Sequence, residues 1–224
     1  MHFIGAAAIR MARFAALVLA LLLPVTLSPA PAGADTPGDF DFYVLSLSWS
    51  PTYCADEGRN DRFQCGGRPF AFVAHGLWPQ FERGYPRGCE SPQGDGVPRS
   101  TVDAMLDIMP SPGLVRHEWR EHGTCSGLRQ SAYFDLVRRA FDRVAIPARF
   151  VDVDDYLTVS PGDVEAAFRR SNPGLPASGI AVFCDSRRLK EVRICMTRDL
   201  SFRPCPEIDR RACSRDRLVM PPVR

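Results

Sequence analysis

AHGLWP at residues 74–79 and HEWREHGTC at residues 117–125 hold every histidine that follows residue 34. Imidazole is the one side chain whose unperturbed pKa lies near physiological pH. Two imidazoles, one charged and one neutral, can therefore serve as the acid and the base of one reaction. The grouping of His75, His117 and His122 into two short segments predicts a site for proton transfer.

The N-terminal segment has the pattern of a secretory signal. Arg10 and Arg13 precede an apolar run at residues 14–27, and small residues at positions 32–34 form a cleavage site. The run is shorter than the roughly 20 apolar residues that a membrane span needs. We therefore expect a signal peptide at residues 1–34, a mature domain at residues 35–224, and no membrane attachment after the signal is removed.

The charge of the expected mature chain is balanced. Signal removal takes away two of the 28 basic residues and no acidic one, which leaves 26 residues of each sign. General attraction to nucleic acid is thus not expected, and an anionic ligand has to be held by a local site.

Eight cysteines follow the signal, and none form a Cys-x-x-Cys metal knuckle. An even number of cysteines behind a signal predicts four disulfides in an oxidising compartment, either the periplasm or the extracellular space. The spacing alone leaves the connectivity open among roughly a hundred pairings.

The hydrophobic pattern predicts five strands. Residues 41–49 are apolar on both faces at their start, as in a central strand, and Pro51 follows them. Residues 70–74 form a short buried strand with His75 at its end. Three further antiparallel strands are predicted at residues 180–184, 190–196 and 200–202, and polar loops are predicted at residues 54–67 and 82–99.

Four helices are predicted at residues 100–109, 114–122, 132–144 and 161–170. Gly123 is typical of the position just beyond a helix end, and Ser160-Pro161 is typical of a helix start. We find no internal repeat and no linker. The sum predicts an α+β single domain in which a central antiparallel sheet is flanked by several helices and held by disulfides.

On a regular helix, Glu118 and His122 share one face, and His117 lies about 100° away from Glu118. A strand end carrying His75 can face this helix, so that all four side chains surround one anion. The nearest alternative is a zinc site of the His-Glu-x-x-His type, whose histidines are four apart. Here the histidines are five apart, about 140° around a regular helix, so they are not expected to share a metal.

This arrangement suits cleavage of a phosphodiester by an internal nucleophile. In RNA the 2′-hydroxyl already lies beside the phosphorus atom. A base removes its proton, an acid protonates the departing 5′-oxygen, and donors hold the phosphate charge. Each positioned acid or base contributes roughly 10² to 10⁴ in rate, and no metal or other cofactor is needed.

The two segments resemble the ribonuclease T2 family. HGLWP (residues 75–79) is similar to its first active-site segment and HEWxxHGTC (residues 117–125) to its second, and SWSPTYC (residues 48–54) resembles bacterial members. The resemblance implies that His75 is the general acid and His122 the base, that Glu118 polarises the phosphate, and that His117 binds it. The implied product is a 2′,3′-cyclic phosphate that opens slowly to a 3′-phosphate.

The resemblance also implies a disulfide frame. The implied pairs are Cys54–Cys65, Cys89–Cys125, Cys184–Cys213 and Cys195–Cys205. The second pair would fix the chain close beyond His122, at the expected end of its helix. A helix C-terminus favours a cationic imidazole by about 0.3 to 1 kcal/mol. We therefore expect a raised pKa for His122 and a cleavage rate that peaks on the acid side of neutrality.

One residue departs from the family at the site itself. The family often has lysine just before the last histidine, where this chain has Glu121. A unit charge at 4 Å is worth about 4 kcal/mol at an effective dielectric of 20, so an unpaired Glu121 facing the phosphate could cost roughly two to three decades of rate. Neutralisation by Arg116 or Arg120, or rotation into solvent, would remove that cost.

Base recognition is assigned to two positions. Trp78 is a candidate stacking platform, with a core position as the alternative, whereas Trp119 is expected in the core. Some relatives carry an acidic residue that recognises the base just after HGLWP, and here that position is Gln80. The base preference of the family therefore cannot be carried over.

The sequence predicts a monomeric endoribonuclease that acts on single-stranded RNA with low base specificity and without a metal or cofactor. Two alternatives remain. The first is a catalytically weak or inactive RNA- or protein-binding module, because Glu121 replaces the usual lysine. The second is a metal-dependent hydrolase.

Overall fold

An antiparallel sheet of four strands forms the centre of the computed structural model, which describes residues 34–58 and 60–224. Residues 1–33 of the expected signal lie outside the described residues. The sheet has the order β2-β1-β5-β4, and a second sheet pairs β3 with β6. The strands are β1 (Phe42–Trp49), β2 (Phe72–Gln80), β3 (Leu157–Val159), β4 (Ile180–Cys184), β5 (Leu189–Met196) and β6 (Leu218–Met220).

Seven α-helices surround the sheets in the described part of the chain. They are α1 (Ser50–Asp56), α2 (Arg62–Cys65), α3 (Arg99–Met105), α4 (Pro112–Glu118), α5 (Gln130–Asp142), α6 (Pro161–Ser171) and α7 (Pro206–Asp209). The helix α5 packs on β1 and β2, and α6 packs on β4. The predicted α+β class, with a central antiparallel sheet and flanking helices, is confirmed.

The best predicted elements are those with the longest apolar patterns. Strand β1 lies between β2 and β5, and seven of its eight residues are buried, as expected for a central strand. Helix α6 starts as predicted, because Ser160 Oγ accepts the backbone N–H of Asp163 and Pro161 occupies the first turn. Helix α5 and strands β4 and β5 lie within two residues of their predicted bounds.

Several predicted bounds were wrong. The segment 54–67 holds the end of α1 and all of α2 rather than a loop, because Pro51 occupies the first turn of a helix, where its missing N–H costs nothing. Helix α3 ends at Met105, earlier than predicted. Residues 200–202 are not a strand, because Leu200 has a φ of 69° and only an isolated bridge joins Phe202 to Met196.

Four disulfides tie the domain together. They join Cys54 to Cys65, Cys89 to Cys125, Cys184 to Cys213, and Cys195 to Cys205, which are the pairs that the family resemblance implies. Within residues 34–58 and 60–224, no helix combines the length and the apolar character that crossing a membrane requires.

Candidate active site

A β-bulge places His75 in the site. Strand β2 continues to Gln80, so the prediction that His75 ends a strand was wrong. In the register with β1, Gly76 pairs with Ser46 and Ala74 pairs with Leu47, which leaves His75 as the extra residue on β2. Bulges bend a strand and re-aim a side chain. The imidazole of His75 remains 31% exposed although strand residues on both sides of it are buried.

A wide helical turn carries the second segment. The predicted regular helix at residues 114–122 was wrong, since α4 ends at Glu118 and a π-helical turn spans Trp119–Gly123. The backbone N–H of Thr124 donates to the carbonyl of Trp119, five residues earlier, as in π-helical turns. A 3₁₀ turn (Thr124–Ser126) then continues the helical path to the disulfide at Cys125.

From the sequence, a metal shared by His117 and His122 was excluded on the assumption of a regular helix. The π-helical turn means that this assumption does not hold. Such a turn brings residues five apart closer together than a regular helix does, and His117 and His122 line one cavity. Among the side chains of residues 34–58 and 60–224, no three His, Cys, Asp or Glu are grouped so that they could hold a metal ion.

Glu118 is the most deeply buried charged group of the site. Its side chain is 1% exposed, and its Oε2 accepts the indole N–H of Trp78 at 2.7 Å. Its Oε1 lies 3.6 Å from Nε2 of His75 and has no hydrogen-bond partner. Burial raises the pKa of Glu118 to about 7, although the charge of His75 and the Trp78 hydrogen bond lower it. A carboxyl group of this kind is half protonated near neutrality.

The glycine of HGLWP lets this carboxyl group approach the strand. A Cβ atom on Gly76 would lie 1.8 Å from Oε2 of Glu118 and 2.5 Å from Nε1 of Trp78. Any side chain at this position would displace the carboxylate, the indole or both. Gly76 therefore fixes how closely α4 packs on β2.

Trp78 contacts both imidazoles. Its ring centroid lies 5.4 Å from that of His75 and 5.2 Å from that of His122. The guanidinium of Arg193 lies 4.8 Å from the same indole. Trp78 is thus half-buried at the centre of the site, whereas Trp119 is fully buried in the core, as predicted.

Two charged residues of the site were missed by the sequence analysis. Oε1 of Glu191 lies 2.6 Å from Nδ1 of His75, and Oε2 of Glu191 accepts from Nε and Nη2 of Arg193 at 3.0 and 2.8 Å. Both residues lie on β5, two apart and therefore on one face. Two charges at alternate positions of a buried central strand were the signal that could have revealed them.

The two imidazoles have pKa values shifted in opposite directions. Burial alone would lower the pKa of His75, but the hydrogen bond to Glu191 and the charges of Glu118 and Glu191 raise it above its ordinary value. Burial lowers the pKa of His122 to about 3, and the positive charges of His117, His75 and Arg193 add to this effect.

The expectation of a raised His122 pKa was therefore wrong. The helical path continues past His122 to Ser126, so the imidazole does not face the free carbonyls of a helix end. Burial and three nearby positive charges outweigh any remaining helix-end effect, which is worth about 0.3 to 1 kcal/mol.

Two cavities, each of about 450 Å³, flank the site. The first lies beside His75 and Glu191, and the second lies beside Trp78 and His122. The exposed side chain of His117 lines both cavities.

The second cavity also contains the two remaining sequence-predicted positions. Gln80 lines it but is largely buried, and its amide donates to the carbonyl of Pro79 at 2.8 Å. Glu121 lines the same cavity with an exposed side chain. His75, Glu118 and His122 therefore contact the indole of Trp78. The other predicted residues, His117, Gln80 and Glu121, line the cavity beside it.

A family model described as "Ribonuclease T2 family" matches residues 40–205. The chain is 35% identical over 186 residues to the "Ribonuclease" of Aeromonas hydrophila, a match that covers 81% of this chain and 83% of the relative. It is 30% identical over 204 residues to "Ribonuclease I" of Escherichia coli (strain K12), covering 71% of this chain and 75% of the relative. Among solved structures, "RNase-related protein from Calystegia sepium" shares the fold, with a TM-score of 0.65 at 19% identity over 83% of this chain and 98% of that one.

Proposed function

Because the chain belongs to the ribonuclease T2 family and is an endoribonuclease, we propose that it cleaves single-stranded RNA by attack of a 2′-hydroxyl on the adjacent phosphate. The reaction proceeds without a metal ion and with low base specificity. One observation carries the proposal. Two imidazoles with oppositely shifted pKa values lie against one indole, between two cavities.

His122 acts as the base and His75 as the acid. A lowered pKa keeps His122 neutral, so it can accept the proton of the 2′-hydroxyl. A raised pKa keeps His75 protonated, so its Nε2 can give a proton to the departing 5′-oxygen. The oxygen–phosphorus bond to the 2′-oxygen forms as the bond to the 5′-oxygen breaks, which yields a 2′,3′-cyclic phosphate and a 5′-hydroxyl.

The cyclic product is opened by the same two groups acting in reverse. The neutral form of His75 left by the first step removes a proton from water, and the protonated His122 returns a proton to the 2′-oxygen. The product is a 3′-phosphate, and both imidazoles regain their starting states. Each positioned acid or base is expected to contribute about 10² to 10⁴ in rate.

Glu118 and His117 hold the phosphate. A protonated Glu118 can donate from Oε1, its oxygen without a partner, to a non-bridging phosphate oxygen. An ionised carboxylate at this position would instead repel the phosphate. His117 stands where the two cavities meet, so the phosphate that joins two nucleotides lies within its reach. Stabilisation of developing charge by such donors is usually the largest single contribution to catalysis.

The two cavities hold the nucleotides on either side of the scissile phosphate. In the second, the half-buried Trp78 and the exposed Tyr85 form part of the wall, and a base of any kind can stack on an aromatic ring. Arg193 packs over the indole and Arg87 over the Tyr85 ring, so a base has to use the ring surface that these guanidinium groups leave open. The amide of Gln80 already donates to Pro79, which reduces its capacity to select one base. A base that is held mainly by stacking, without a hydrogen bond from a side chain that selects it, supports low base specificity.

We further propose that residues 1–34 form a secretory signal and residues 35–224 a ribonuclease T2-like catalytic domain that acts as a monomer in the periplasm or outside the cell. The four disulfides support an oxidising compartment.

The rival proposal is a weak or inactive binding module. It rests on the exposed Glu121 in the cavity that contains His122, where the family often has lysine. A negative charge there opposes entry of a phosphate. The module would bind RNA or protein without cutting RNA.

One assay separates these functions. Purified mature protein is incubated with RNA and with DNA of the same sequence in excess EDTA, and the first products are analysed by mass spectrometry and phosphorus NMR. We expect cleavage of RNA alone, with 2′,3′-cyclic phosphate ends. Binding without cleavage would favour the module, and activity that EDTA abolishes would favour a metal-dependent hydrolase.

A further inference from the structure

We propose that Glu191 is a positioning residue for the acid of the reaction, because its carboxylate receives Nδ1–H of His75 and thereby directs Nε2 toward the scissile phosphate. The inference rests on the proposed function, in which His75 protonates the departing oxygen. It extends that function to a residue outside both histidine segments, 116 positions along the chain from His75.

Both oxygens of the Glu191 carboxylate form hydrogen bonds. Oε1 lies 2.6 Å from Nδ1 of His75, and Oε2 is held by Nε and Nη2 of Arg193 at 3.0 and 2.8 Å. The side chain is 13% exposed, so water competes little for these contacts. Ser48 Oγ is a more distant neighbour of Nδ1, at 3.4 Å. Glu191 is therefore the group that decides which imidazole nitrogen carries the fixed proton.

The strand register brings the two residues together. Ser48 and Ser46 of the central strand β1 pair with Glu191 and Arg193 of β5. His75 extends from the bulge on the opposite neighbour, β2. Because the two serines are small, side chains from both flanking strands can meet above β1. A larger residue at Ser48 would separate the imidazole from the carboxylate.

With Nδ1 occupied by Glu191, only Nε2 can exchange a proton with the substrate. Nε2 points toward Oε1 of Glu118, 3.6 Å away, which has no hydrogen-bond partner. A carboxylate behind a histidine fixes the tautomer and the ring orientation and stabilises the cation, as the aspartate of a Ser-His-Asp triad does. Glu191 thus supports the protonated form that an acid needs.

Charged groups from three elements face His75. Helix α4 contributes Glu118, and β5 contributes Glu191 and, behind it, Arg193. His117, also from α4, lines the adjoining cavity, and His122 of the π-helical turn lies across the indole. Glu191 is the only one of these groups within 3 Å of the imidazole, and its hydrogen bond is the largest of the contributions that raise the pKa of His75, ahead of the charges of Glu118 and Glu191.

The test is Glu191→Gln, which keeps the size and a hydrogen-bond acceptor but removes the charge. We expect kcat/KM for RNA to fall about 10- to 100-fold at about pH 7.5, the size of loss seen when the hydrogen-bond partner behind a metal-ligating histidine is removed. At about pH 4.5, where the lower pH favours protonation of His75 in both proteins, the loss is expected to be smaller. The matched control is Asp107→Asn, which breaks a carboxylate–arginine pair with Arg138 that lines neither cavity, and it should leave both rates unchanged.

A loss of equal size at both pH values, or no loss at all, would overturn the proposal, because a merely structural role does not move the pH profile.

A titration of His75 by NMR gives a result that does not depend on RNA cleavage. Three histidines follow residue 34, so their signals can be assigned by single substitutions. We expect the His75 midpoint to fall in Glu191→Gln, and an unchanged midpoint would overturn the inference even if the wild-type enzyme cleaves RNA. If the wild-type protein cleaves no RNA but the midpoint falls, the proposed function fails and the positioning stands.

Discussion

Nε2 of His75 lies 3.6 Å from Oε1 of Glu118, a buried carboxyl oxygen that has no hydrogen-bond partner. Buried polar atoms are nearly always paired, and an unpaired one in a native fold calls for an explanation. A phosphate oxygen placed between the two groups would satisfy both of them. The unpaired atom is therefore consistent with a ligand-binding position rather than with a stabilising contact.

The pH dependence of cleavage follows from the two histidines and Glu118. The base must be neutral, so activity is lost as the pH falls toward about 3, the pKa of His122. The acid must be protonated, so activity is also lost as the pH rises through the raised pKa of His75. Ionisation of Glu118, whose pKa is about 7, also removes its donor to the phosphate as the pH rises. We therefore expect kcat/KM for RNA to be highest on the acid side of neutrality and to decline above about pH 7. Circular dichroism at each pH serves as the control for folding, and a rate that still climbs above about pH 8 would contradict the assignment.

The buried carboxyl group is expected to cost stability at alkaline pH. The pKa of Glu118 is about 7 in the folded protein against 4.5 for an ordinary glutamate, so the unfolded chain ionises first as the pH rises. The folded state therefore loses stability between these two values. Relative to wild type, Glu118→Gln should be about 3 kcal/mol more stable at about pH 8 than it is at about pH 4. Urea unfolding at the two pH values measures this, and an equal difference at both would contradict the burial argument.

The departure at Glu121 is expected to reduce the rate modestly. The side chain is exposed in the cavity that contains His122, so solvent screens its charge and the cost is smaller than for a buried group. We expect Glu121→Lys to raise kcat/KM about fivefold at low ionic strength, with the gain shrinking as salt is added. Asp154→Lys, the same charge change at an exposed loop position away from both cavities, controls for overall charge. An unchanged rate would mean that Glu121 does not face the phosphate.

Close packing at Gly76 predicts a severe effect of a small substitution. Gly76→Ala places a methyl group where Glu118 and Trp78 lie, so one of them must move. We expect a loss of roughly 1 to 3 kcal/mol in the free energy of unfolding, together with about a 10²-fold loss of kcat when the donor to the phosphate is displaced. Gly67→Ala, where no atom lies within 4 Å of the added methyl group, is the matched control. Retention of wild-type kcat by Gly76→Ala would show that the Glu118 position is not critical.

The sequence predicted the parts of this protein that depend on local pattern. Strand β1 is continuous and apolar, and α6 has a capping serine followed by proline, so both were found close to their observed bounds. The prediction that the two histidine segments form one site also followed from the rarity of histidine and from the resemblance of the segments to a family.

What the sequence did not predict depends on register and packing between distant segments. The bulge at His75 exists only in relation to its pairing with β1, and periodicity within one strand does not show it. The π-helical turn likewise shifted His122 from its regular-helix position. Glu191 could not be linked to His75 without knowing that β5 lies next to β1. Because burial decides the protonation of His122, the direction of its pKa shift could not be foreseen from its place near a helix end.

The most direct test of the central claim separates the acid from the base. A 5′-thiolate leaves without protonation, so an RNA whose scissile 5′-oxygen is replaced by sulfur no longer needs an acid. We predict that His75→Ala loses about 10² to 10⁴ in rate on ordinary RNA but cleaves the sulfur-substituted RNA nearly as fast as wild type, whereas His122→Ala is impaired on both. Equal impairment of His75→Ala on the two substrates, or rescue of His122→Ala instead, would contradict the assignment of His75 as the acid and His122 as the base.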